Sequence, residues 1–191
     1  MSSDAPGFDR SLSLIAEELE SVVERLTSAD ASAEALVDEI ARARRVFVHG
    51  AGRSGLALRM TAMRLMHLGL DVHVVGETSA PAIAEGDVLL TASGSGTTES
   101  IVRAARTAVE AKARVALITT ATDSPLSELA SATLVVPAAA KLDRSMTASA
   151  QYAGGLFEQT VVLVGDALFH TLWQRSGRTA DELWPRHANL E

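Results

Sequence analysis

The residues best equipped for chemistry are the hydroxyls of Thr91-Ala92-Ser93-Gly94-Ser95-Gly96-Thr97-Thr98-Glu99. Ser93, Ser95, Thr97 and Thr98 carry donors on short stems, and the interleaved glycines permit a tight turn with inward-pointing amides. The apolar run Asp87-Val88-Leu89-Leu90 leads in, and the helical spacing of Ile101, Val102, Ala105 and Val109 leads out. The stretch reads as strand, turn and helix, with the unpaired N–H groups and positive dipole end of the helix at the turn. It holds no lysine or arginine. A neutral cradle of donors suits a dianionic phosphate that must both bind and leave. The competing reading is a serine-rich surface turn.

A second glycine loop, Gly50-Ala51-Gly52-Arg53-Ser54-Gly55, follows the apolar run Arg45-Val46-Phe47-Val48. It satisfies the dinucleotide pattern G-x-G-x-x-G, and Glu77 stands near where a ribose-binding acid is expected, so a nicotinamide enzyme is one reading. Against it, Ser54 adds a donor that a dinucleotide site does not require, and the hydroxyl-rich loop would be superfluous. Two anion loops facing one crevice suit a single phosphate held from two sides.

The elements that must position these loops follow from periodicity. Leu12, Ile15, Leu19, Val22, Val23 and Leu26 predict an amphipathic helix over 9–26, and Leu36, Val37 and Ile40 a weaker one over 31–43. Short apolar strands are predicted at 45–50, 72–75, 88–90, 115–118 and 134–136. Between them lie a helix from Leu56 to Leu68 closed by Gly69, the helix after the cradle, and a short one capped by Ser124 with Pro125 at its first position. Residues 137–150 read as a loop. A long helix over 153–175 carries Phe157, Val161, Val164, Leu168 and Leu172 on one face, and the tail from Trp184 has no periodicity. Strands alternating with helices imply a doubly wound parallel sheet, with the two leading helices an addition to one domain spanning 1–191 (helices to 43, core 44–175, tail 176–191). Ligands of such sheets sit at the carboxyl ends of the strands, where the loops after the first and third strands meet.

Composition narrows the function. The chain has 191 residues, 47% hydrophobic, with no apolar run as long as a membrane span. Residues 1–7 show neither a basic region nor an apolar core, and a cytoplasmic location is expected. Without cysteine, disulfides, thiolate catalysis and cysteine-bound zinc are excluded. A net charge of −7 and 4% aromatic residues argue against nucleic acid as a partner.

Together, Gly50-Ala51-Gly52-Arg53-Ser54-Gly55 and Ser93-Gly94-Ser95-Gly96-Thr97-Thr98-Glu99 resemble the sugar isomerase (SIS) domain over roughly residues 30–175. Three stretches extend the likeness to the branch of that family that acts on hexulose phosphates. They are Met63-Arg64-Leu65-Met66-His67-Leu68-Gly69, Val75-Gly76-Glu77-Thr78-Ser79-Ala80-Pro81-Ala82-Ile83 and the closing His187-Ala188-Asn189-Leu190-Glu191. The resemblance implies a three-layer flavodoxin-like α/β sheet of order 2-1-3-4-5, a homotetramer and no cofactor. It implies interconversion of 3-hexulose 6-phosphate and fructose 6-phosphate in the ribulose monophosphate route that captures formaldehyde. Carried onto this chain, it makes Ser54, Ser93, Ser95 and Thr98 the phosphate ligands; Gly52, Arg53, Glu77 and Thr97 are further candidate substrate contacts. No metal ligands are assigned.

Shifting a ketone along a sugar needs a base that takes a proton from one carbon and returns it to the next. Glu158, in Gly154-Gly155-Leu156-Phe157-Glu158, is the candidate. The residues alone also allow an ordinary helix carboxylate, and the family pattern favours the base. His49, His73 and His170 read as structural. His67 sits where a helix C-terminus favours a cation, and the resemblance includes it. His187 lies on a short polar tail; the resemblance has the tail complete a neighbouring subunit's site. Lys141 and Arg144 are weaker candidates. Alternative functions are another phosphosugar aldose–ketose isomerase (arabinose 5-phosphate or sedoheptulose 7-phosphate), or a sugar-phosphate sensor. The stripe Leu12-Ile15-Leu19-Val22 is read as an oligomer contact, the alternative being that it completes the protomer's own core.

Overall fold

The computed structural model describes residues 6–28, 30–138 and 149–190; Lys141 and Arg144 lie outside them. Five parallel strands, β1 Val46–Gly50, β2 Val72–Val74, β3 Val88–Ala92, β4 Arg114–Thr119 and β5 Ala132–Val135, form one sheet of order 2-1-3-4-5. The expected flavodoxin-like order is therefore observed. Strand β3 is buried at every residue, which is why its sequence is an unbroken apolar run rather than an alternating one. Gly50 pairs with Ala92, so β1 and β3 end level and both loops open at the same edge of the sheet.

Helices α1 Phe8–Thr27, α2 Asp30–Ala41, α3 Gly52–Leu68 and α6 Gly155–Ser176 bury one hydrophobic cluster on one face of the sheet. Helices α4 Glu99–Glu110 and α5 Pro125–Leu129 bury a second cluster on the other face. The chain thus changes faces between β1 and β3, the switch point where a crevice forms. At the opposite edge Asp87, fully buried, accepts from Arg44 (3.1 Å), Arg45 (2.7 Å) and the Ala84 amide (2.8 Å), tying the starts of β1 and β3 together.

Helix α3 ends at Gly69 in the left-handed conformation, φ 94°, as the glycine predicts. It begins at Gly52, four residues before Leu56, because the glycine loop itself turns into the helix. Helix α6 buries Leu156, Thr160, Gly165 and Phe169 as well as Phe157, Val161, Leu168 and Leu172 of the predicted apolar face, with Val164 half-buried, since it is packed between α3 and the N-terminal helices. Arg53 lies beside Gly155, Thr61 fills the space against Gly165, and Arg64 covers the Phe169 ring at 4.0 Å. The paired positions rise together, so α3 and α6 run parallel and present their N-termini at the same end.

The α1 stripe divides. Val22 is fully buried in the protomer's core and Leu19 partly so, whereas Leu12 is 56% exposed and Phe8 84%. Its second half therefore follows the core reading. The tail is more ordered than its lack of periodicity predicts: α7 spans Ala180–Leu183 and a 3₁₀ turn Trp184–Arg186. Thr179 and Glu182 form a capping box, a signature that needs no hydrophobic repeat. Among the described residues no helix is long and apolar enough to cross a membrane.

Candidate active site

A pocket of about 300 Å³ opens at the switch point. The β1–α3 turn contributes Gly52, Arg53 and Ser54; the β3–α4 turn contributes Ser93, Gly94, Ser95 and Thr98; the start of α6 contributes Gly154, Phe157 and Glu158. The N-termini of α3, α4 and α6 all meet there, and their free amides and dipoles favour an anion. All four expected phosphate ligands line this one pocket.

Local geometry explains the shape of the cradle. Gly55 crosses so close to Gly50 that an added Cβ would lie 2.4 Å from the Gly50 carbonyl oxygen. In the second loop Gly96 sits at φ 65°, and a Cβ there would lie 2.1 Å from Ser124 Oγ. The loop is held from behind. The Gly94 carbonyl accepts from the hydroxyls of Thr119 (3.2 Å) and Thr120 (2.8 Å), and the Gly96 carbonyl from the Leu126 amide (3.2 Å). Thr119, Thr120 and Ser124 escaped the sequence reading, which recognised Ser124 only as a helix cap. Ser93 Oγ and Thr98 Oγ1 lie 3.3 Å apart, close enough for both to face one ligand oxygen. Thr97 does not line the pocket; its hydroxyl donates to Ser95 Oγ at 3.0 Å.

Glu158 stands across the pocket from the cradle, its side chain 17% exposed, with Oε2 2.9 Å from Arg53 Nη1. Among the described lining residues Arg53 is the only cation and Glu158 the only anion. A carboxylate held by a guanidinium beside a phosphate-sized cradle can exchange a proton with the carbon chain of a bound ester.

The other candidates lie elsewhere. His67 is buried beneath His187, their rings stacked at 4.2 Å, and His187 also packs on Trp184. Burial, His187 and Arg64 together push the His67 pKa down. Fifteen helical residues separate His67 from the α3 N-terminus, about 22 Å at 1.5 Å per residue. Within one chain, neither histidine reaches Glu158. Glu77 lines a separate cavity of about 570 Å³ with His49 and Arg103, and pairs with Arg59 at 3.1 Å. His49 is pushed down by burial, against a hydrogen bond to the Ser100 backbone, which raises it. His73 faces Asp71 at 3.0 Å, and His170 stands edge-on to Trp173. Among the described residues, no three His, Asp or Glu side chains are grouped to hold a metal ion.

Residues 39–160, more than half of the chain, match the SIS domain family. A 3-hexulose-6-phosphate isomerase of Mycobacterium gastri is 57% identical over 156 residues, covering 82% of this chain and 78% of the relative. One from Bacillus subtilis (strain 168) is 38% identical over 161 residues, covering 83% and 86%. A crystal structure of a Methanococcus jannaschii protein, described as inferring a 3-hexulose-6-phosphate isomerase function, superposes with a TM-score of 0.80. It is 29% identical and covers 95% of this chain and 99% of that one. The chain belongs to the SIS domain family and is similar over most of its length to members named 3-hexulose-6-phosphate isomerase.

Proposed function

We propose that the protein interconverts 3-hexulose 6-phosphate and fructose 6-phosphate through an enediol, in the cytoplasmic ribulose monophosphate route. The observation that carries this reading is Glu158 in the same pocket as Ser54, Ser93, Ser95 and Thr98. The four hydroxyls and three helix N-termini hold the phosphate. Glu158 takes the C2 proton; the C–H pair becomes the C2–C3 double bond and the carbonyl pair moves to O3. Return of the proton at C3, with an O2 to O3 proton shift, gives the C2 ketone. Both electrons stay within one substrate, so no external oxidant or reductant enters the balance. Arg53 keeps Glu158 aimed. A sensor has no need of a carboxylate there, which favours turnover over binding alone.

Self-association completes this reading. Leu56, Met60 and Met63 are 64%, 50% and 52% exposed, and with His67 they follow i, i+4, i+7, i+11, one face of α3. Two copies packed antiparallel on this face, about a two-fold axis near Met60, bring position 53 of one chain opposite position 67 of the other. The partner subunit's His67 and His187 then approach the Glu158 pocket. A tetramer is two such dimers, with the exposed Phe8–Leu12 end of α1 as a second apolar contact.

Incubation with 3-hexulose 6-phosphate should yield fructose 6-phosphate, with arabinose 5-phosphate as the rival substrate and NAD titration as a control. No fructose 6-phosphate, or faster turnover of the pentose, refutes the reading. A 20 kDa species by light scattering at micromolar protein refutes the shared site.

A further inference from the structure

We propose that Glu18 of the N-terminal helix α1 is a positioning residue for Glu158, acting through a hydrogen-bonded latch on residues 149–151; the assignment rests on Glu158 being the base. Glu18 Oε2 accepts from Ser149 Oγ at 2.8 Å and from Gln151 Nε2 at 2.9 Å, and its Oε1 accepts from the Ala150 amide at 2.6 Å. Ser149 Oγ in turn accepts from the Gln151 amide at 3.0 Å. One carboxylate thus collects three donors from three consecutive residues 131 to 133 positions away in sequence. Burial of the Glu18 carboxyl raises its pKa, but the three hydrogen bonds outweigh burial and hold it below the usual carboxylate range. The latch is therefore charged at neutral pH.

What it holds is the approach to the base. Ala153 (φ 49°) and Gly154 (φ 82°) are consecutive left-handed residues immediately before α6. Such a conformation in alanine persists only where the surroundings over-determine it. Helix α6 has no side-chain cap at its N-terminus to do so. Gln151 is the latch residue nearest that turn: its Oε1 and Cβ lie 3.3 and 3.6 Å from where a Cβ on Gly155 would stand, and the Gly155 amide donates to the Tyr152 carbonyl at 3.1 Å. Glu158 follows three residues later, its amide bonded to the Gly154 carbonyl at 3.1 Å. Glu18 does not line the pocket, so it touches neither phosphate nor reacting carbons. Its reach is through Gln151 and the first turn of α6. Displacing a base by about 1 Å can cost on the order of a hundredfold in rate.

The test compares Glu18→Ala, Glu18→Gln, Gln151→Ala and the Glu18→Ala/Gln151→Ala double variant with wild type, all at one protein concentration. Glu18→Ala should lower kcat by about ten- to a hundredfold with KM within threefold, because the four phosphate-facing hydroxyls lie on the β1–α3 and β3–α4 turns, which the latch does not contact. Glu18→Gln keeps one carbonyl acceptor and should recover part of the loss. Gln151→Ala should resemble Glu18→Ala, and the double variant should be no worse than the poorer single one, as for residues acting in series. Amide hydrogen exchange should quicken over 150–158 in Glu18→Ala and stay unchanged over 52–55. A kcat within twofold of wild type, an equal loss in KM, additive losses, or exchange quickened throughout the chain overturns the latch. If the wild-type protein does not convert 3-hexulose 6-phosphate, the functional reading fails on its own. The exchange comparison still decides the latch, and unchanged exchange over 150–158 overturns it.

Discussion

Replacing Gly96 with alanine probes whether the cradle depends on the β4–α5 loop behind it. At φ 65° an L side chain costs about 1–2 kcal/mol. The new Cβ would also stand 2.1 Å from Ser124 Oγ and 2.5 Å from Ser124 Cβ, so Ser124 must leave its place. Ser124 caps α5, accepting from the Ser127 amide at 3.2 Å, and losing such a cap costs about 1 kcal/mol. Together these predict a loss of about 2–3 kcal/mol, or roughly 4–12 °C in Tm for a domain of this size. The loop must shift as Ser124 moves, and losing one hydrogen bond to the phosphate weakens binding about tenfold. Gly94→Ala is the internal control. Its Cβ would lie 3.5 Å from the Phe157 ring, an ordinary contact, and its backbone is not left-handed. Circular dichroism melts of both variants at one protein concentration, with and without inorganic phosphate, plus calorimetric titration of phosphate, make the comparison. A Gly96→Ala Tm within 2 °C of wild type, or an equal loss in Gly94→Ala, would refute the reasoning.

Three further outcomes are expected. Glu158→Gln should lower kcat by about 10²–10⁴-fold while inorganic phosphate binds as well or better, because Arg53 is released toward the ligand; a rate within tenfold of wild type removes the base assignment. His187→Asn, assayed from both substrates, should slow fructose 6-phosphate consumption more if the histidine opens the furanose ring, since 3-hexulose 6-phosphate is open-chain; equal losses rule that role out. Asp87 is buried, which raises its pKa, but Arg45, the Ala84 amide and Arg44 outweigh burial and lower it. Its stabilising contribution is therefore present above the ordinary carboxylate range and lost as pH falls through the lower folded value, so urea midpoints should drop below about pH 4. Asp87→Asn should lower the urea midpoint at pH 7 by removing the charge partner of the largely covered Arg45, and a midpoint matching wild type contradicts that.

The cradle was legible because its chemistry is local: Ser93 to Thr98 are consecutive, and strand, turn and helix flank them. Gly69 and Ser124 were legible as caps for the same reason. The Arg53–Glu158 pair was not, since its members are 105 positions apart and only the parallel packing of α3 on α6 joins them. Ser124 behind Gly96 and Glu18 on residues 149–151 are likewise tertiary facts without a local signature. Helix α7 is too short for periodicity, though its Thr179/Glu182 box was present in the sequence. The separation of His67 from the pocket follows from helix length alone, yet it becomes meaningful only once both ends of α3 are placed.

Thr61 and Gly165 interlock at the middle of the α3–α6 seam, where even a methyl group would strike Thr61 Oγ1 at 2.1 Å. Two helices meshed like this cannot shear past one another without unpacking. The Ser54 turn of the phosphate mould and the proton acceptor therefore ride on one stiff pair of helices. The substrate must adjust to that pair. Pre-steady-state mixing should accordingly show product formed without a lag, and added viscogen should slow encounter and departure while leaving the proton-transfer rate unchanged.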